Sequence, residues 1–297
     1  NQYRRRIFEV NEEGDLSKPN KIIGTLWDPS KDTLRFPYQK LVEEPITYSK
    51  RGASKIIASI YDGNGELAPF ILRGKVILSL VWSYEKPEKG TEIGSPKSSK
   101  SDRLTWDDPL PAHLATLFTE WVNDIKKINE YISIRYIFGK TNGTFNPTPQ
   151  REHLELHTYS DGGLLAYGIV ALLRWKQNDS YATRRIYATS RIVSPSNDMS
   201  VPRRELNGLV LAAKKAVEFK DEFHIEPTNV FLHSDSMICL YWLNKPLEKL
   251  AVYVHNRIKS IRDTGFHEQV FFTGSEENVA DLVTKVKPPS AFIDNEF

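Results

Sequence analysis

The feature that most constrains this chain is a change of hydrophobic period near its middle. The run Leu154-Glu155-Leu156-His157-Thr158-Tyr159-Ser160 alternates apolar and polar groups, as a half-buried strand requires, and Asp161 ends it. Two more strand-like segments, roughly 166–175 and 183–193, follow before the spacing turns helical at Leu206, Leu209, Val210, Ala213, Ala216 and Val217. Ser200 and Pro202 stand just upstream as a helix start signal. The strand Val230-Phe231-Leu232, an apolar helix over 236–242, an amphipathic helix near 249–263, the strand 269–272 and a helical run over 278–285 complete the order. Antiparallel strands followed by strands alternating with helices predict an α/β class unit: a mixed five-stranded sheet with helices on its faces.

Four carboxylates stand at the ends of these elements. Asp161 and Asp235 each close a strand, Glu205 sits one turn before Leu209 at the edge of a buried stripe, and Asp281 lies in the last helical run. Singly, each has an ordinary reading: Asp161 and Asp235 as turn residues, Glu205 as an acid favoured by the helix dipole, Asp281 as a solvated helix residue. Jointly they point to a metal site. Two carboxylates about 4 Å apart repel by roughly 4 kcal/mol at an effective dielectric near 20, so a cluster of four calls for a divalent cation. An all-oxygen set without Cys or His favours Mg²⁺, or Mn²⁺, over zinc.

Ahead of this unit, Lys21 to Phe36 reads as two short strands around the turn Asp28-Pro29-Ser30-Lys31-Asp32. Helices are expected over 50–60, over 69–82 and, amphipathically, from Pro111 to about Lys127 with Leu114, Leu117, Phe118, Trp121 and Ile125 on one stripe. Residues 84–104, rich in Lys, Ser, Pro and Gly, read as a mobile loop, and 139–150 as a linker. Two domains are therefore expected: a smaller, mainly helical one over 1–150 and the α/β unit over 151–297.

These residues also carry a family resemblance. Tyr159-Ser160-Asp161 with Ala166-Tyr167-Gly168, Val201-Pro202-Arg203-Arg204-Glu205-Leu206, Ser234-Asp235-Ser236 with Trp242, and Ser275-Glu276-Glu277-Asn278-Val279-Ala280-Asp281-Leu282 stand in the order found in one group. That group is the ribonuclease H region of BEL/Pao-type long-terminal-repeat retrotransposon reverse transcriptases. In the first half Gly24-Thr25-Leu26-Trp27-Asp28, Lys50-Arg51-Gly52, Ile57-Ala58-Ser59-Ile60-Tyr61-Asp62 and Trp106-Asp107-Asp108-Pro109-Leu110-Pro111 resemble the same family's thumb and connection segment.

The resemblance implies a ribonuclease H-like fold and an enzyme that cuts the RNA strand of an RNA–DNA hybrid with two Mg²⁺ ions, Mn²⁺ substituting. Asp161 would bridge both ions, Glu205 and Asp235 would hold one, and Asp281 would complete the other. Arg203, Arg204, Ser236 and Asn278 would contact nucleic acid, although Ser236 reads more readily as a helix cap. Some relatives carry a histidine before the last aspartate; residues 273–280 contain none, and His267 precedes the strand. Gly162 and Gly163 replace the Ala-Ser more usual in relatives, which predicts added flexibility and a lost hydroxyl contact. No Tyr-x-Asp-Asp polymerase motif occurs, so the partner expected besides the hybrid is the polymerase domain of the same polyprotein. A catalytically idle, host-captured binding module is the alternative, and an integrase-like transferase a weaker third, because the last acid is Asp281.

Charge and composition set the remaining expectations. A net charge of +2 is small for a nucleic-acid binder, so affinity must come from local patches: Arg184-Arg185, Arg203-Arg204, Lys214-Lys215, and the Arg257, Lys259 and Arg262 face. No apolar run reaches the roughly 18 residues a membrane span needs, and Asn1 to Arg6 precedes no signal-peptide core. A cytoplasmic, particle-associated or nuclear location is expected, with no membrane partner. The single cysteine, Cys239, is expected to be a buried apolar residue.

Overall fold

The computed structural model describes residues 20–22, 25–38, 41, 45–85, 103–141, 144–177, 179–193 and 199–286. The expected mobile loop over 84–104 falls largely outside the described residues, as do Asn1 to Arg6. The first unit holds strands β1 (Asn20–Ile22), β2 (Thr25–Asp28) and β3 (Thr33–Arg35), helices α1 (Lys50–Ser59), α2 (Ala68–Ser83) and α3 (Ala112–Ile128), and strand β4 (Ile132–Ile134). Helices dominate it, as expected. Its strands, however, join in one antiparallel sheet of four in the order β1-β2-β3-β4, where two short strands around a turn were expected. Asp32 explains the closure. It takes a positive φ of 54° in the turn and accepts from Trp27 Nε1, Arg135 Nε and the Tyr136 amide, tying β2 to the chain after β4. The core of this unit is built from Phe70, Phe118, Trp121, Ile125 and Ile128, all fully buried, with Trp121 stacked on Phe70 at 4.9 Å.

Residues 139–150 do more than link. A two-residue hairpin forms there, β5 (Lys140–Thr141) with β6 (Thr144–Phe145), and Asn146 Nδ2 donates to the Phe138 carbonyl.

The second unit runs β7 (Leu154–Gly162), β8 (Ala166–Gln177), β9 (Ser180–Ile192), α4 (Val201–Phe223), β10 (Val230–Ser234), α5 (Met237–Leu243), α6 (Val252–Arg262), β11 (Val270–Phe272) and α7 (Asp281–Thr284). Its sheet order is β11-β10-β7-β8-β9, with β7, β8 and β9 antiparallel and β10 parallel to both β7 and β11. This is the ribonuclease H-like order expected from the sequence, in the α/β class. Leu154, Leu156, Ile169, Leu173, Leu206, Leu209 and Leu232 fill the layer between the sheet and α4, and Cys239 is buried there, unpaired. Among the described residues no helix is long and apolar enough to cross a membrane.

A seam joins the units. The loop before α2 lies on β9, where the Ala188 amide donates to the Asn64 carbonyl at 2.9 Å. Glu66 accepts from Arg185, whose side chain is 7% exposed, and from Tyr131 Oη at 2.9 Å. Arg185 is thus committed inside the molecule, and half-buried Arg184 donates to the Ile134 carbonyl at the surface, so the two do not form one open basic patch. Gly65 sits at φ +75°, and a Cβ there would stand 1.7 Å from the Ala188 carbonyl oxygen. Gly65→Ala should therefore lower unfolding stability by at least about 2 kcal/mol, the left-handed backbone and the clash acting together. Gly274→Ala, with nothing within 4 Å, should be nearly neutral. Equal denaturant midpoints for the two variants would refute the seam.

Candidate metal centre

The absence of a side chain at Gly162 decides where this site can form. A Cβ on Gly162 would lie 2.2 Å from the Glu205 amide nitrogen, and one on Gly208 would lie 2.9 Å from the Asp161 carbonyl oxygen. With hydrogens at both positions α4 presses onto the end of β7, and Glu205 stands beside Asp161. Gly162 is therefore a packing requirement, not the source of flexibility expected from the sequence, whereas a Cβ at Gly163 would meet only ordinary contacts, the nearest at 3.4 Å. The hydroxyl thought lost is supplied elsewhere, because Thr284 Oγ1 donates to Asp161 Oδ2.

Parallel pairing brings in the third acid. Ser234 of β10 is in register with Ser160 of β7, so Asp235 leaves the sheet next to Asp161. Asp281 opens α7, and Asn278 ties that segment to β7 by donating to the Ser160 carbonyl at 3.0 Å. The charges feel one another. Burial pushes the Asp161 carboxyl above its ordinary range, with the Thr284 hydroxyl opposing and the charges of Asp235 and Asp281 adding. Burial likewise raises Glu205, against the Ser236 hydrogen bond and together with Asp235 and Asp161.

Each carboxylate is held through at least one oxygen by a donor from the chain. Thr284 holds Asp161, Ser236 Oγ holds Glu205 Oε2 at 2.5 Å, Ser275 Oγ holds Asp235 Oδ2 at 2.9 Å, and Lys285 Nζ holds Asp281 Oδ2. Such donors orient acids for a cation. Asp235 Oδ1 is buried with no hydrogen-bond partner, an acceptor whose desolvation nothing in the chain offsets. Among the described residues no group of three or more His, Cys, Asp or Glu is placed so that it could hold a metal ion. The acids are electrostatic neighbours that a divalent charge would have to draw together. By its chemistry the donor set, hard oxygen throughout, is the kind that suits Mg²⁺ or Mn²⁺.

The other expected site residues have defined places. Ser236 is the N-cap of α5, accepting from the Cys239 amide, while its hydroxyl donates to Glu205. Asn278 is 3% exposed and spends its amide on Ser160 and its oxygen on the Ala280 amide. Arg204 donates to the Leu164 carbonyl at 2.9 Å, pinning the β7–β8 turn beside the acids. Arg203 is exposed and lies over Tyr253, with Arg257 stacked on the same ring, Cζ to centroid 4.9 and 3.4 Å. His267 precedes β11, at the sheet end opposite the acids. Ser275, Thr284 and Lys285 were not singled out from sequence. Thr284 and Lys285 follow Asp281 by three and four positions, a helical spacing that could have flagged them.

Folded Asp161 and Glu205 hold their protons more tightly than the unfolded chain does. Their contribution to the stability of the metal-free protein is therefore greatest with both protonated and is lost as pH rises through their raised folded values. Asp161→Asn keeps an oxygen for Thr284 and removes the buried charge. Its Tm should exceed that of the parent by about 3 °C at pH ~7, roughly 1 kcal/mol of relieved repulsion, and match it near pH ~3. A lower Tm at neutral pH in metal-free buffer would contradict this electrostatic picture.

The pattern of one family, described as the Pao retrotransposon-like RNaseH-like domain, matches residues 49–236, a span holding Asp161, Glu205 and Asp235 but not Asp281. No curated protein matches the sequence. Similar solved structures include the N-terminal RNase H domain of rv2228c from Mycobacterium tuberculosis, fused to maltose binding protein. It is 12% identical, covering 44% of this chain and 90% of that one, at TM-score 0.33. An LC11-RNase H1 from a compost metagenome is 14% identical over 48% and 99% of the two chains, TM-score 0.32. A foamy viral protease-reverse transcriptase in complex with dsDNA is 11% identical over 88% and 45%, TM-score 0.27. The fold assignment rests on the strand order, not on these partial superpositions.

Proposed function

Starting from a chain that belongs to the family of Pao retrotransposon-like RNaseH-like domains, we propose that it is a divalent-metal-dependent endonuclease acting on the RNA strand of RNA–DNA hybrids. The observation that carries this reading is the donor-held set Asp161, Glu205, Asp235 and Asp281 at one sheet end, with a buried, unpartnered oxygen on Asp235. The idle-module alternative gives no reason for a fold to keep burdening itself with mutually repelling, desolvated acids. Asp161, between Asp235 and Asp281 in its charge environment, would be shared by two ions; Glu205 and Asp235 would hold one, and Asp281 the other. Bound Mg²⁺ or Mn²⁺ would supply an activated water and neutralise the departing oxygen. The chain's own part is orientation: Thr284, Ser236 and Ser275 fix the carboxylates, and the Arg204 clamp fixes the adjoining turn.

For contact with the nucleic-acid backbone we assign Arg203 and Arg257, which share the Tyr253 ring on the α4–α6 face. Arg257 Nε donates to the neutral Asn207 Oδ1 at 2.6 Å, so its charge remains to meet a phosphate. In the longer polyprotein the polymerase domain is the expected partner, within a cytoplasmic particle or the nucleus.

A labelled RNA–DNA hybrid with Mg²⁺ or Mn²⁺ should be cut by the protein, and Asp235→Asn should lower the rate about a thousandfold, the several kcal/mol a lost metal ligand represents. Equal rates in both proteins would sink the nuclease reading. Arg257→Ala should weaken hybrid binding at all sequences and reduce the salt slope by about 1; an unchanged slope would remove Arg257 from the interface.

A further inference from the structure

The four acids are not held alike. Three are held by neutral hydroxyls, of Thr284, Ser236 and Ser275, whereas Asp281 is held by an ammonium, that of Lys285. The helix geometry enforces this pairing. α7 is a single turn, its last hydrogen bond runs from the Lys285 amide to the Asp281 carbonyl, and the side chains stand at i and i+4 on one face. Lys285 is 55% exposed, so its ammonium is free to swing into water, while Asp281 is 26% exposed.

We propose that Lys285 is the built-in counter-ion of the acid cluster and competes with the cation on the Asp281 side, so that this second cation binds only when the ammonium is displaced. This rests on the metal-site reading above. The contact is with Asp281: the ammonium bonds Asp281 Oδ2, while Glu205 and Asp235 are held by the hydroxyls of Ser236 and Ser275. The competition therefore falls on the Asp281 side of the cluster and leaves the side shared by Glu205 and Asp235 to take the first ion. A cation also answers how the metal-free fold tolerates four neighbouring acids. An ammonium on a flexible stem neutralises part of the cluster until a divalent ion, with twice the charge, replaces it. Lys285 is thus a positioning residue, acting through Asp281.

Calorimetric Mn²⁺ titration of the whole chain, with no nucleic acid present, tests this through affinity rather than turnover. Lys285→Gln should bind Mn²⁺ at the weaker step roughly three- to tenfold more tightly than the parent, and Lys285→Arg should stay close to the parent. Thermal unfolding gives a second readout that mere loss of structure would not produce. Without metal, Lys285→Gln should melt below the parent, and its Tm increment on saturation with Mn²⁺ should be the larger of the two. Unchanged or weaker Mn²⁺ binding in Lys285→Gln, with binding still lost in Asp235→Asn, would overturn the competition while the metal site stands. Failure of parent and Lys285→Gln alike to bind Mn²⁺ would overturn both.

Discussion

Everything about the site depends on how closely one helix can approach one strand. With no Cβ at Gly162 or Gly208, the second turn of α4 lies against the end of β7, backbone to backbone. Any larger residue at Gly162 would have to displace the Glu205 backbone, because the added atom would meet its amide nitrogen and Cα. The pairing of Glu205 with Asp161 is thus set by packing, and electrostatics oppose it: both carboxyls are pushed toward their protonated forms by burial first, then by the charge of Asp235, with Asp281 adding at Asp161 and Asp161 adding at Glu205. The fold imposes the convergence, and the hydroxyls of Thr284 and Ser236 make it tolerable.

The same logic extends outward. β10 pairs in parallel with β7, so the ends of the two strands reach one edge together and Asp235 must arrive beside Asp161. Asn278, anchored on the Ser160 carbonyl, carries the last acid back to that edge. On the far side of the sheet, the first unit rests on β9 through Gly65 and Glu66, and Ala68 packs with Val170, Ala188 and Val283. Val283 belongs to α7, the helix that presents Asp281 and Thr284 to the site. The two units are therefore mechanically continuous up to the acids, and the family's pattern, residues 49–236, spans this seam.

The strands and helices were legible because each carries a clean period. β7 alternates from Leu154 to Ser160, and the stripe of α4 recurs at helical spacing, so both lie within a few residues of their expected bounds. The four-stranded sheet of the first unit was not legible. Its members are three or four residues long, and β4 joins β3 from nearly a hundred positions away, a pairing no local window contains. Arg185 looked like part of a surface patch because sequence shows charge and not burial. Gly162 looked like slack because a missing side chain in sequence does not reveal what occupies its place.

The element order of the second unit, the α/β class and the four carboxylates near element ends could be read from the residues alone, since these follow from local periodicity and from the few ways such elements can pack. Lys285 lies within one helical turn of Asp281, so that contact too is local. The donors to Asp161, Glu205 and Asp235 came only with the fold: Thr284, Ser236 and Ser275 reach them through turns and close contacts whose geometry emerges once strands are registered and helices docked. The difference is one of range: periodicity is written between near neighbours, whereas a hydrogen bond across 123 positions, such as that from Thr284 to Asp161, exists only after the chain has closed.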